Sequence, residues 1–138
     1  AFMVLPLDDH MVHRGHSVFD TAALVNGKLY QLDAHIERLL RSAEMARLQL
    51  PHAPEQLRQT IIDTAAASRQ RDASVRYWVS AGPGGFGLAP GECVSSSFYV
   101  MIFSPQPEPA RFYTEGVKVV TSTVPIKPPF FARVKSTN

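Results

Sequence analysis

Lysine is scarce in this chain: Lys28, Lys118, Lys127 and Lys135 stand against ten arginines, so each amine can be weighed as a nucleophile in turn. An amine that attacks a carbonyl carbon must reach it unprotonated, which favours a lysine held partly desolvated beside its target. Lys28 sits in the Asn26-Gly27 turn and is expected in water. Lys118 alternates with Val117 and Val119 and is expected to point outward, while Lys127 lies in the extended stretch between Pro125 and Pro128. Lys135 follows the apolar, proline-bounded run from Pro128 to Val134 and is the best placed of the four for burial. Most lysines are solvated surface charges, and that reading stays open for Lys135 on local sequence alone.

Three other groupings carry possible chemistry. Asp8, Asp9, His10, His13 and His16 offer carboxylate and imidazole donors of the kind that hold zinc or iron. Arg14-Gly15 interrupts any helix that would bring them to one face and puts a cation among them, so no metal site is expected there. Gly82-Pro83-Gly84-Gly85-Phe86-Gly87 satisfies G-x-G-x-x-G formally, but a dinucleotide fingerprint needs a helix to open at once, and Leu88-Ala89-Pro90-Gly91 follows instead. A flexible loop at a sheet edge is the better reading. Arg38, lastly, lies opposite the Ile36, Leu40 and Ala43 stripe of its own segment, which by pattern alone is a solvated face.

The elements that must position these residues read as α+β, an antiparallel-rich sheet with two helices. Residues 17–25 and 28–32 flank Asn26-Gly27, the strongest short-range hairpin signal. Asp33 then predicts a helix cap, with Ile36, Leu39, Leu40, Ala43 and Ala46 recurring at helical spacing over 34–48. Pro51 ends that helix. Pro54 followed by Glu55 opens a second, whose stripe is Leu57, Ile61 and Ala65. Strands are expected at Val75–Ser80, Ser97–Phe103 and Val117–Val124, with the proline-rich stretches 105–109 and 125–129 as connections. Residues 1–124 form one domain on this reading and 125–138 a linker segment that ends in the lysine.

Composition bounds the rest. A chain of 138 residues, 45% hydrophobic, can bury one core, and its formal charge of +2 comes from scattered arginines rather than a basic run. Neither a nucleic-acid surface nor a membrane span is expected, since no apolar run approaches about 18 residues. The single Cys93 cannot close an internal disulfide, which suits the interior of a cell. Ala1-Phe2-Met3-Val4-Leu5-Pro6 has no basic leader region, and cytoplasm and plastid both remain open as locations.

Several segments together resemble one family. Val12-His13-Arg14-Gly15-His16-Ser17-Val18-Phe19-Asp20-Thr21, Asp33-Ala34-His35-Ile36-Glu37-Arg38-Leu39 and Val134-Lys135-Ser136-Thr137-Asn138 are similar to the class IV aminotransferases, the fold-type IV pyridoxal phosphate enzymes. Within these the chain most resembles the plant-type D-amino-acid aminotransferase and aminodeoxychorismate lyase group, through the residues from Asp8 to His16 and from Arg76 to Gly84. The resemblance implies that the chain is an N-terminal half, with pyridoxal 5'-phosphate as cofactor and Lys135 as its Schiff-base lysine and catalytic proton carrier. It further implies that Arg38 binds the cofactor phosphate, and that Phe19 walls the substrate pocket with His35 nearby; for Phe19 a place in the core stays open. The His10–His16 segment becomes a turn leading into the first active-site strand.

The activity so implied moves an amino group between an amino acid, D-alanine or another D-amino acid first, and a 2-oxo acid. Aminodeoxychorismate lyase, branched-chain aminotransferase and a non-catalytic interaction domain are the alternatives. A homodimer acting on small amino and keto acids is expected, and this half alone is expected to be inactive. One departure from bacterial D-amino-acid aminotransferases stands out: the loop 81–87 lacks the cations that hold a substrate carboxylate there, so that charge must be met otherwise.

Overall fold

The computed structural model describes residues 4–138, the side chain of Pro90 apart. Four strands form one antiparallel sheet in the order β2-β1-β3-β4. They are β1 (Ser17–Val25), β2 (Lys28–Leu29), β3 (Ala73–Ser80) and β4 (Ser97–Phe103). Two long helices, α2 (Leu32–Met45) and α3 (Pro54–Ser68), cover one face. Alternation in β1 and β3 turns Val18, Ala22, Leu24, Val75, Tyr77 and Val79 inward, where they meet Ile36, Leu39, Ala43 and Ile61. The α3 stripe Leu57, Ile61 and Ala65 is buried as its spacing predicts, with Pro54 in the first turn. On the other face Phe19 lies opposite Trp78, and Trp78 opposite Tyr99, all three half-buried.

Three expectations need correction. The Val117–Val124 segment is not a strand: it has no regular structure and its apolar side chains are exposed, Val120 at 93%. Val-rich alternation reports a fit to a half-buried pleated surface, and no described strand offers this segment a ladder. The second hairpin strand stops at Leu29, because Gln31 turns into the left-handed region (φ 47°) and α2 begins at Leu32. Asp33 therefore lies inside the first turn and does not cap; its carboxylate accepts from Arg58 Nε of α3 at 2.8 Å, and so ties the two helices together.

A one-turn helix, α1 (His10–Arg14), was not expected. Asp9 caps it, accepting from Met11 N at 2.8 Å, and Gly15 ends it. Asp9 is fully buried and also accepts from Tyr99 Oη at 2.6 Å and from the Ser80 hydroxyl. The glycine-rich loop after β3 clamps the same helix. Gly82 O accepts from His10 N at 3.0 Å, Gly85 O from His10 Nε2 at 2.8 Å and Phe86 O from Arg14 Nη2 at 2.8 Å. A single 3-10 turn, Pro90–Glu92, comes directly after that loop, and no helix opens there to face a pyrophosphate. Two further short helices, α4 (Arg111–Thr114) and α5 (Pro129–Ala132), lie in the exposed stretch that leads to the lysine.

Candidate active site

The beginning of β1 meets the segment that carries Lys135. Phe19 N donates to Lys135 O at 2.9 Å and Thr137 N to Ser17 O at 3.0 Å, with Val18 and Ser136 in an antiparallel bridge. Residues 135–137 thus line the part of β1 that the short β2 does not reach. The Thr137 hydroxyl fastens the segment again, donating to Gly15 O at 2.8 Å beside Ser17 Oγ at 2.8 Å. With its backbone fixed, Lys135 places its amine 4.4 Å from the centre of the Phe19 ring, a half-buried position against an apolar wall. Arg76 on β3 flanks the same ring at 5.7 Å and is held by its Nε bond to Thr21 Oγ1 at 3.0 Å.

Strand alternation sends Asp20, next to Phe19, to the helix-covered face, where it is fully buried. Arg38 grips it with two bonds, Nε to Oδ2 and Nη2 to Oδ1, each 2.6 Å. His35 Nδ1 lies 3.1 Å from Asp20 Oδ1 and 3.1 Å from Arg38 Nη2. Burial pushes the Asp20 carboxyl upward, but the bonds from Arg38, Thr21 N and His35, with the guanidinium charge, prevail and hold it below its ordinary value. The same bond raises the Arg38 guanidinium further. Tyr77, paired with Asp20 in register, is buried, and its hydroxyl has no partner among the described residues. Burial, then the Asp20 charge, lift its phenol well above its ordinary value.

The Asp20–Arg38 pair makes a pH-dependent contribution whose sign is fixed. A carboxyl held below its unfolded value stabilises the fold in full above that unfolded value, near pH 4, and loses the contribution as pH falls through the folded one. Exposed pairs contribute up to about 1 kcal/mol, and breaking a fully buried pair costs about 3–5. With Asp20 buried and the Arg38 side chain 42% exposed, Asp20→Asn should cost about 2 kcal/mol at neutral pH. Denaturant titrations of both proteins across the acid range test this: the gap between them should narrow below about pH 4, and a gap independent of pH would refute the assignment.

One hydroxyl joins the two halves of the arrangement. Ser42 is fully buried on α2; its Oγ donates to Arg38 O at 2.8 Å and accepts from Lys135 N at 3.3 Å. The structure therefore groups Lys135 with Phe19 and Arg38 with His35, on opposite faces of β1. Phe19 and His35 do not line one common wall. Asp20, Ser42 and Arg76 received no role from the sequence. Asp20 had left a signal, since it shares the inward parity of Val18, Ala22 and Leu24, and a charged residue in such a place needs a partner.

Residues 17–138 match the family model described as amino-transferase class IV. The chain belongs to that family. It is 54% identical over its whole length to the D-amino-acid transaminase, chloroplastic, of Arabidopsis thaliana, covering 36% of that protein. The structure superposes on the 4-amino-4-deoxychorismate lyase of Pseudomonas aeruginosa with a TM-score of 0.67 at 27% identity, covering 85% of this chain and 42% of that one. The branched-chain amino acid aminotransferase of Escherichia coli superposes with a TM-score of 0.67 over 73% of this chain and 36% of its own, and at 21% identity that likeness speaks to the fold alone. The chain thus spans little more than a third of the curated relative's length.

Class IV aminotransferases depend on pyridoxal phosphate, and the residues present suit that group. An amine stands half-buried against an aromatic wall, and a guanidinium with Nη1 uncommitted to Asp20 stands partly open to solvent. Those are the donors an aldehyde and a phosphate call for. Among the described residues no helix is long and apolar enough to cross a membrane.

Proposed function

We propose that this chain forms the N-terminal part of a pyridoxal-phosphate-dependent aminotransferase that moves the amino group of a D-amino acid, such as D-alanine, to a 2-oxo acid. The observation that carries the reading is the Lys135 amine, fixed by its own backbone ladder over the Phe19 ring. The 54% identity to a D-amino-acid transaminase supports the substrate class. Aminodeoxychorismate lyase is the second reading, supported by the likeness to the Pseudomonas structure. Residues 1–124 act as the domain and 125–138 as the segment that delivers the lysine. The whole enzyme works as a homodimer, and a plastid location is supported by the name of the Arabidopsis relative.

Bound pyridoxal phosphate supplies the electron sink that lets a bond at the substrate α-carbon break. Lys135 would hold the cofactor, and its Nζ would carry the proton that leaves the α-carbon. Arg38 would bind the phosphate, kept in place by Asp20 and, through its carbonyl, by Ser42. Phe19 walls the site and keeps water from the amine. Arg76, beside the same ring, presents the positive charge that the loop 81–87 lacks for a substrate carboxylate.

Borohydride reduction of the full-length protein, followed by intact mass and peptide mapping, tests this. One reduced phosphopyridoxyl group per chain is expected, on the peptide that holds Lys135. No adduct, or an adduct on another lysine, would refute the reading. Assays of the unreduced protein with D-alanine plus a 2-oxo acid, and with aminodeoxychorismate, then separate transaminase from lyase.

A further inference from the structure

At the end of the sheet away from the hairpin turn, α1 and the loop after the 3-10 turn bring three metal-binding side chains together. His10, His16 and Cys93 each present a donor atom, and all three donors lie within 4.8 Å of one another. The sequence grouped Asp8, Asp9 and His13 with the two histidines and led to no metal site; the fold instead brings a thiol from far along the chain. Gly15 ends α1 and the chain folds back, so that His16 N donates to His10 O at 3.2 Å and the imidazoles converge without a continuous helix. Arg14, the cation that argued against a site, turns away to Phe86 O at 2.8 Å.

We propose that His10, His16 and Cys93 bind a zinc-class divalent cation. Two imidazoles and a thiolate form a borderline-soft donor set suited to zinc rather than to magnesium or calcium. His10 is 1% exposed, and its Nε2 must donate to the Gly85 carbonyl at 2.8 Å, which leaves Nδ1 with its lone pair. A ligating histidine whose other nitrogen donates to a backbone carbonyl is oriented in the way metal sites usually require. Metal–nitrogen and metal–sulfur bonds of about 2.0 and 2.3 Å need donors about 3.5 Å apart. Rotation of the half-buried His16 and Cys93 side chains closes the remaining distance, and the thiol proton passes to solvent as the metal binds. A cleft of about 260 Å³ lined by His16 and Cys93, with Arg47 also on its wall, gives the ion its entry. The metal would tie α1 and His16 to the loop that runs from the 3-10 turn into β4.

The test is a titration of the full-length, chelator-treated protein with Co(II), without a polyhistidine tag, read as absorbance difference from the cobalt-free protein. One equivalent should produce a thiolate-to-cobalt charge-transfer band in the near ultraviolet and the strong visible bands of four-coordinate cobalt, and Zn(II) should remove both. Cys93→Ser should abolish the charge-transfer band, His16→Gln should weaken binding at least about tenfold, and His13→Gln, outside the trio, should leave the titration unchanged. Absence of a charge-transfer band from the parent protein, or its survival in Cys93→Ser, would overturn the proposal. His10 is too deeply packed to be the informative variant; Cys93 and His16 are half-buried and can be changed without emptying the core.

Discussion

Lys135→Ala in the full-length protein should lower kcat/KM for transamination by at least about 10³-fold while leaving stability within about 0.5 kcal/mol. The two halves of that expectation come from different atoms. The fold uses the backbone of Lys135: its carbonyl accepts from Phe19 N, and its amide donates to Ser42 Oγ. Alanine keeps both. The chemistry proposed for it uses the side-chain amine, which stands at the Phe19 ring with Arg76 on its flank and is the group assigned to proton movement at the substrate α-carbon. Lys135→Arg is the sharper variant, because it keeps a positive charge over the ring but cannot give up a proton at working pH. It should be as inactive as alanine, and a small primary amine added to the alanine variant should restore part of the lost rate. Retention of activity to within tenfold of the parent in either variant would remove Lys135 from the mechanism, and loss of activity together with folding would reduce it to a structural role.

Most of the fold and part of the candidate site were legible in the sequence, and the parts that were not share a physical cause. The hairpin, the two long helices and two of three expected later strands follow from local turn chemistry and spacing, which depend on neighbours in the chain. Lys135 was singled out because a scarce residue type followed an apolar run, and the family resemblance gave it its proposed role. Arg38 was singled out only through family resemblance, since its wheel position says surface; the structure shows a side chain that starts on that surface and reaches under the sheet to Asp20. Val117–Val124 failed because a strand is a property of a pair, and the partner cannot be read from one segment. Helix α1 failed for a related reason: five residues do not sustain a helix alone, and the glycine-rich loop and Asp9 hold this one. Cys93 joins His10 and His16 across more than 75 positions, beyond the reach of any spacing rule.

Gly82→Ala should unfold the domain or cost more than about 4 kcal/mol, the range reserved for a backbone clash that nothing nearby can relieve. A Cβ at this position would fall 1.7 Å from the Ser95 carbonyl oxygen and 2.8 Å from its carbon. Both are main-chain atoms that lead directly into β4, so relief means moving the strand. The backbone at Gly82 is also in the left-handed region, φ +86°, where a side chain costs about 1–2 kcal/mol even in open space. Two other glycines separate these contributions. Gly27 has φ +76° with nothing among the described residues within 4 Å of its Cβ position, so Gly27→Ala should cost only the conformational part. Gly91 has neither a positive φ nor a neighbour within 4 Å among the described residues, and Gly91→Ala should be neutral or slightly stabilising. The expected order of loss in denaturant midpoints is therefore Gly82, then Gly27, then Gly91. A Gly82→Ala protein as stable as Gly27→Ala would mean that Ser95 yields easily. The first glycine of the G-x-G-x-x-G pattern would then lack the role assigned to it, the close approach of β4's entry to the loop that holds α1.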